Sequence, residues 1–218
     1  APALTLVRAP VEGFDPAEVA SAAARAAAAA QTVEALAEAI AGFDALPMRA
    51  QARRAVFGRG AGDPALIVVG QAPSGDDEDA GEPFRGRAGA FMERMLAAAG
   101  LLDRAYFLNT VFWRPAGDRE PTAQEQAACL PFLERAFYLL KPQVLLLSGA
   151  GPVRTLLKSE QSIMTSRGKW FEWRAEEGGL AIPAIPVFGS QMLLSQPEAK
   201  KKAWFDLLTV REKLSGQG

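Results

Sequence analysis

The clearest pattern along the 218-residue chain is a series of short, unbroken apolar runs separated by longer stretches with helical spacing. Residues 65–70 (Ala-Leu-Ile-Val-Val-Gly), 106–109 (Tyr-Phe-Leu-Asn) and 144–147 (Val-Leu-Leu-Leu) carry no apolar–polar alternation. That absence marks strands buried on both faces of a parallel sheet. Residues 170–173 and 182–188 predict further strands. Between these runs, residues 89–99 set Phe91, Met92, Met95 and Leu96 on one helical face. Thr122-Ala123-Gln124-Glu125 is a capping box opening a helix to about Lys141. Residues 151–157 predict a short helix, and Pro197 opens a last one to about Leu214. Strands alternating with helices predict a three-layer α/β/α domain around a mostly parallel sheet.

Two regions fall outside this alternation. Residues 1–14 read as an irregular lead-in. Asp15-Pro16-Ala17-Glu18 is a helix start, with an acid at the cap and Pro in the first turn. Ten of the fourteen residues from 17 to 30 are alanine, which favours helix but offers little bulk to bury, so one helix is expected to about Ala41. Residues 71–86 and 114–121, dense in Gly, Pro, Ser and Asp, predict loops. The whole chain, 1–218, is expected to form one domain.

Composition narrows the chemistry. The chain has no histidine and one cysteine, Cys129. No Ser-His-Asp or Cys-His pair and no imidazole-built zinc site can be formed from it, and one thiol cannot hold an iron–sulfur cluster. Cys129 itself reads as a small buried hydrophobe. With 24 basic against 25 acidic residues, the chain is no general polycation, so any nucleic-acid surface must be a local patch. No apolar run reaches the ~20 residues of a membrane helix, and no leader with a basic start and apolar core is visible. A cytoplasmic location follows as the expectation from the single thiol.

In open parallel sheets, ligands bind on the loops after the carboxyl ends of the strands. Three such loops carry unusual residues: Gly70-Gln71-Ala72-Pro73-Ser74-Gly75, leading to Pro83-Phe84-Arg85-Gly86-Arg87; Asn109, where its strand ends; and Gly189-Ser190-Gln191. Singly, each is accounted for by turn geometry or capping, and Phe84 by core packing. Together they converge on one sheet edge.

At these residues the chain resembles the uracil-DNA glycosylases, most closely the iron–sulfur type called family 4. The likeness lies in Gly70-Gln71-Ala72-Pro73-Ser74, in the acidic stretch 76–79, in Gly81-Glu82-Pro83-Phe84-Arg85-Gly86-Arg87-Ala88-Gly89, in Tyr106-Phe107-Leu108-Asn109, and in Arg114-Pro115-Ala116-Gly117-Asp118-Arg119-Glu120-Pro121. It runs from about Ala17 to Leu214. The resemblance implies a monomeric, monofunctional hydrolase that flips uracil or a related damaged base out of DNA and breaks its N-glycosidic bond. Gly70, Ala72, Pro73, Phe84, Asn109 and Gln191 would line the base pocket, Phe84 by stacking and Asn109 by pairing with the base edge. Gln71, Asn109, Gly189 and Ser190 would be the catalytic positions. Arg85, Arg87, Arg114, Arg119 and Lys200 would meet DNA, with Arg167, Lys169, Lys201 and Lys202 nearby; a scattered solvated surface is the alternative.

The departures matter as much. Where the family has Glu to activate water, this chain has Gln71. The last-motif His is Gly189 here, and its Arg is Ser195. Of the cluster ligands only Cys129 remains, so no [4Fe-4S] cluster, metal or other cofactor is expected. Asp76, Asp77 or Glu78 could replace the missing carboxylate, or the run could be a solvated loop. Ser190, Gln191 or a backbone N–H at Gly189 could replace the missing donor. A catalytically silent paralogue that binds DNA or abasic sites through the same cleft is the second reading. A nucleotide-binding enzyme is disfavoured, since neither Gly-x-Gly-x-x-Gly nor Gly-Lys-Ser/Thr occurs and Gly149-Ala150-Gly151 alone is too common to count.

Overall fold

The structure, a computed structural model, describes residues 15–176 and 178–216, so the expected lead-in lies outside the described residues. Helix α1 (Pro16–Ala29) starts as expected, with the Asp15 carboxylate accepting the Ala17 N–H. It stops early, however. Thr32 takes an extended conformation, its hydroxyl accepts the Ala35 N–H, and a separate α2 (Val33–Ala41) begins. The expected single helix is therefore two, because a hydroxyl cap satisfies the orphan amides of a new helix start more cheaply than alanine propensity extends the old one.

The next elements are β1 (Gly58–Gly60), which the apolar pattern does not announce, and β2 (Leu66–Gly70). The expected loop after β2 contains α3 (Gly75–Ala80), closed by a reciprocal cap between Ser74 and Asp77. Then follow α4 (Gly86–Ala98), β3 (Ala105–Asn109) and α5 (Ala123–Leu140), the last opened by the Thr122–Glu125 box. The chain continues through β4 (Val144–Ser148), α6 (Ala150–Leu157), α7 (Ile163–Ser166), β5 (Phe171–Arg174), β6 (Ala181–Val187), α8 (Ser190–Ser195) and α9 (Lys200–Ser215).

The six strands stand in the order β1-β3-β2-β4-β6-β5. The central four are parallel, and β1 and β5 close the two edges antiparallel. The three-layer α/β/α reading holds. Alternate residues of each central strand serve opposite cores. Ile67, Val69, Tyr106, Leu108, Leu145 and Leu147 pack under α1, α2 and α5, whereas Leu66, Val68, Phe107, Leu146 and Ile185 pack under α4 and α9. No helix among the described residues is long and apolar enough to cross a membrane. From β2 the chain steps outward to β3 and then crosses back to β4. The carboxyl ends of β2 and β4 therefore form the switch point at which such sheets open a crevice.

Candidate active site

Gly70 and Asn109 end their strands directly opposite each other. A Cβ on Gly70 would stand 2.3 Å from Asn109 Oδ1 and 2.9 Å from Phe84 Cζ. Only glycine lets the carboxamide and the ring close in on the same strand end. Asn109 is 3% exposed, and its Nδ2 is buried without a partner in the protein. A buried donor with no acceptor costs free energy that a bound ligand can recover. Phe84 is half-buried, has φ of 57°, and meets the Phe107 ring at 5.2 Å. Its ring thus leans on the core on one side and reaches Gly70 on the other.

Backbone ties hold this corner together. Thr110 donates its N–H to the Gly70 carbonyl (2.9 Å) and its hydroxyl to the Gln71 carbonyl (2.6 Å). Thr110 is a residue the motif reading passes over, although a Thr directly after a strand-end Asn is its signal. Pro73 is buried and Ala72 half-buried in the same turn. The Gln71 side chain crosses the switch point: a Cβ on Gly151 would lie 2.5 Å from Gln71 Cδ. Gly151, discounted as part of a phosphate loop, is what makes room for that amide. Gln71 Nε2 is also buried without a partner.

The opposite wall is bare. Gly149, with φ of 97°, faces Gly189, where a Cβ would come 3.6 Å from the Gly149 Cα. Ser190 is buried at the start of α8, and Gln191 on the next position is exposed. These residues, expected as loop, begin a helix, because Gly189 takes an extended conformation and accepts the Leu193 N–H.

The acidic stretch is mostly architecture. The Asp77 carboxylate accepts the N–H groups of Ser74 (2.9 Å) and Arg85 (2.5 Å), and burial pushes it above the ordinary range. Burial alone would also raise Glu78, but bonds from the Arg53 N–H and guanidinium and the Arg114 charge prevail and hold it below its usual value. Both are buried, and each has both oxygens engaged in bracing these loops, so neither is presented to the crevice as a free carboxylate for water activation. Asp76 is exposed and lies against Gly86, where a Cβ would meet its Oδ2 at 1.8 Å.

The cations divide. Arg114 is bound to Asp118 (2.7 and 2.9 Å), and Arg119 grips Glu125 through two bonds (2.8 and 2.6 Å). Arg167 pairs with buried Asp206 and lies over the Phe188 ring. Arg85 pairs with Glu82 at an exposed position. Arg87 is exposed on the first turn of α4, one helical turn before Phe91, and Lys200 Nζ sits 5.1 Å over the Phe91 ring. Arg87 and Lys200 thus both lie along the N-terminal half of α4.

An iron–sulfur cluster does not fit these residues. Cys129 is fully buried on α5, where burial pushes its thiol up to about 12, and as the one cysteine of the chain it leaves a cluster without its other thiolate ligands. Around that stretch of α5 aromatic rings fill the space: Phe132 contacts Phe43 at 5.2 Å and Phe112 at 6.3 Å, and Phe43 contacts Trp113 at 6.5 Å. Among the described residues, no group of three or more His, Cys, Asp or Glu side chains could hold a metal.

Comparison with known proteins adds a sequence likeness. The Thermotoga maritima type-4 uracil-DNA glycosylase is 31% identical over 166 residues, covering 75% of this chain and 84% of the relative. The type-4 enzymes of Saccharolobus solfataricus and Archaeoglobus fulgidus are 29% and 28% identical, covering 76% and 67% of this chain and 78% and 75% of the relatives. The family model of the uracil DNA glycosylase superfamily matches residues 57–208, from the edge strand before β2 into α9, and so takes in every loop of the crevice. On that match the chain belongs to the uracil DNA glycosylase superfamily.

Proposed function

We propose that this chain is a monofunctional DNA glycosylase that hydrolyses the N-glycosidic bond of uracil, or a related damaged base, flipped out of DNA. One observation carries the reading: the buried Asn109 carboxamide, its Nδ2 unpartnered, beside the Phe84 ring at Gly70. A carboxamide offers one acceptor and a donor side by side, matching an N–H and adjacent carbonyl of uracil. The Phe84 face supplies stacking, typically worth ~1–3 kcal/mol per base. Gly70, Ala72 and Pro73 shape that wall, and Gln191, exposed on α8, is assigned to the rim of the opposite one.

In this mechanism Gln71 orients the attacking water through its amide and takes no proton. The Ser190 hydroxyl and the backbone at Gly189 are the donors assigned to the negative charge on the departing base. Losing acid–base help costs about 10²–10⁴ in rate and losing an oxyanion donor about 10²–10³, so a slower enzyme is expected rather than a dead one. That the relatives are named as uracil-DNA glycosylases supports the active reading over a silent paralogue. Arg85, Arg87 and Lys200 are assigned to DNA phosphates, whereas Arg114 and Arg119 act by shaping the loop they brace. The protein is taken to work as a cytoplasmic monomer without a cluster. Incubation with a uracil-containing oligonucleotide, then alkaline cleavage of abasic sites, tests this. Product is expected with the natural sequence and about 10²–10³-fold more slowly with Asn109→Ala; no product from the natural sequence at any pH defeats the proposal.

A further inference from the structure

Phe84 holds a backbone conformation that L-residues with bulky side chains rarely adopt, at φ 57°. Left to itself, such a residue relaxes to the extended or right-handed region, and the strain persists only where neighbours over-determine it. One neighbour is Gly89: a Cβ there would stand 1.8 Å from the Phe84 carbonyl oxygen, so the turn of α4 leaves a slot for that carbonyl. The other is Arg59 on edge strand β1. Its Nε donates to the Pro83 carbonyl (2.7 Å) and its Nη2 to the Phe84 carbonyl (2.8 Å). One guanidinium therefore grips the peptide groups on both sides of the strained residue.

Sheet register puts it there. Arg59 pairs with Phe107 in the antiparallel β1–β3 ladder, and opposite residues share a face. Its guanidinium carbon lies 4.6 Å from the centre of the Phe107 ring, which in turn contacts the Phe84 ring. Glu93 of α4 pairs with the same guanidinium at 2.6 Å, and the Arg59 side chain is 15% exposed. The guanidinium is thus committed to the Pro83 and Phe84 carbonyls, the Phe107 ring and Glu93.

We propose that Arg59 is a positioning residue for base stacking: by clamping the carbonyls of Pro83 and Phe84 it sets the Phe84 ring against Gly70 and Asn109. The inference rests on the reading of Phe84 as a stacking platform. Arg59 touches neither base nor phosphate.

The experiment compares Arg59→Ala, Arg59→Lys, Phe84→Ala and the Arg59→Ala/Phe84→Ala double variant. It uses three measurements: single-turnover excision from a uracil oligonucleotide, affinity for the same oligonucleotide carrying a tetrahydrofuran abasic mimic, and hydrogen exchange of residues 82–88. Arg59→Ala should slow excision about 10- to 30-fold, within the range of one lost stacking contact, and leave affinity for the base-free mimic within about twofold. It should also speed exchange across residues 82–88 but not across β2. In the Phe84→Ala background the same change should cost less than about threefold, because partners acting as a unit are non-additive. A lysine keeps the charge beside Glu93 but cannot fork to two carbonyls, so Arg59→Lys should recover thermal stability without recovering excision. Fully multiplicative losses, or stability and excision recovering together in Arg59→Lys, overturn the proposal. If the natural sequence excises no uracil, the glycosylase reading fails, and the exchange measurement still decides this one: unchanged exchange in Arg59→Ala overturns it.

Discussion

Over the carboxyl ends of β2 and β3 the crevice is lined by side chains held in place from several directions. Thr110 ties the backbone that carries Asn109 and Gln71, the missing side chains of Gly70 and Gly151 give Asn109, Phe84 and Gln71 their places, and the packed loop before α4 carries Phe84. Over the ends of β4 and β6 stand two glycines, Gly149 and Gly189, with backbone against backbone. The contrast separates two tasks. Recognition of a planar base needs fixed amides and a fixed ring, and those are dense here. Stabilising a departing anion needs a donor aimed at one atom, and on that wall the only buried polar side chain at the start of α8 is Ser190.

The contrast breaks most directly at Asn109. Replacing it with alanine should lower single-turnover excision of uracil by about 10²–10³-fold, the usual cost of one preorganised polar partner in the transition state. Loss of less than about fivefold would mean that the recognition wall is elsewhere. Refilling the bare wall tests the other half. Gly189 has φ of −64°, and a Cβ there meets only ordinary contacts, so the backbone accepts a side chain. Gly189→His combined with Gln71→Glu should raise the rate by ~10-fold or more, since acid–base and anion-stabilising groups each typically contribute at least that. A folded, DNA-binding double variant with no gain would show that the two walls are not aligned as the family likeness implies.

Smaller effects divide the cations. Arg87→Ala and Lys200→Ala should each weaken DNA binding a few-fold and reduce the slope of log Kd against log salt by ~1, as removal of one phosphate contact does. Arg119→Ala should leave that slope unchanged and lower the melting temperature instead. Equal slopes for all three would dissolve the distinction. The smallest effect concerns Glu125, which burial pushes up but the bonds from Arg119 and Thr122 hold below its ordinary value of 4.5. A lowered carboxylate stabilises the fold above its unfolded-chain value and loses that contribution as pH falls through the folded value. Glu125→Gln should therefore cost about 1 kcal/mol at neutral pH, discounted because Arg119 is partly exposed. The gap to the natural sequence in urea melts should narrow below about pH 4.5. A gap that stays constant down to pH 3 would rule out the ion pair as its source.

How much of this was legible beforehand depended on the range of the interaction concerned. The apolar runs mark β2, β3 and β4 to within a residue, because burial on both faces leaves no room for alternation. The Thr122–Glu125 box reads directly, since both partners lie within one turn. The Ser74–Asp77 box is of the same kind but lies among the loop signals of residues 71–86, as the Thr32 cap lies at the end of the alanine run. β1 had no local signal at all: three residues, two of them glycine, form a strand only because β3 offers an edge.

Local sequence encodes the layers, the order of the loops and the motif residues that place the chain in its superfamily, each within a few neighbouring positions. It also determined what the chain lacks, histidine and all but one cysteine. Which residues face one another comes from long-range packing: Asn109 opposite Gly70, Gln71 over Gly151, Arg119 bound to Glu125, and Arg59 against Phe107 with its fork on both sides of Phe84. Strand register and helix packing are set by the whole core, and a guanidinium or an amide takes its partner from whatever that packing brings within about 3 Å.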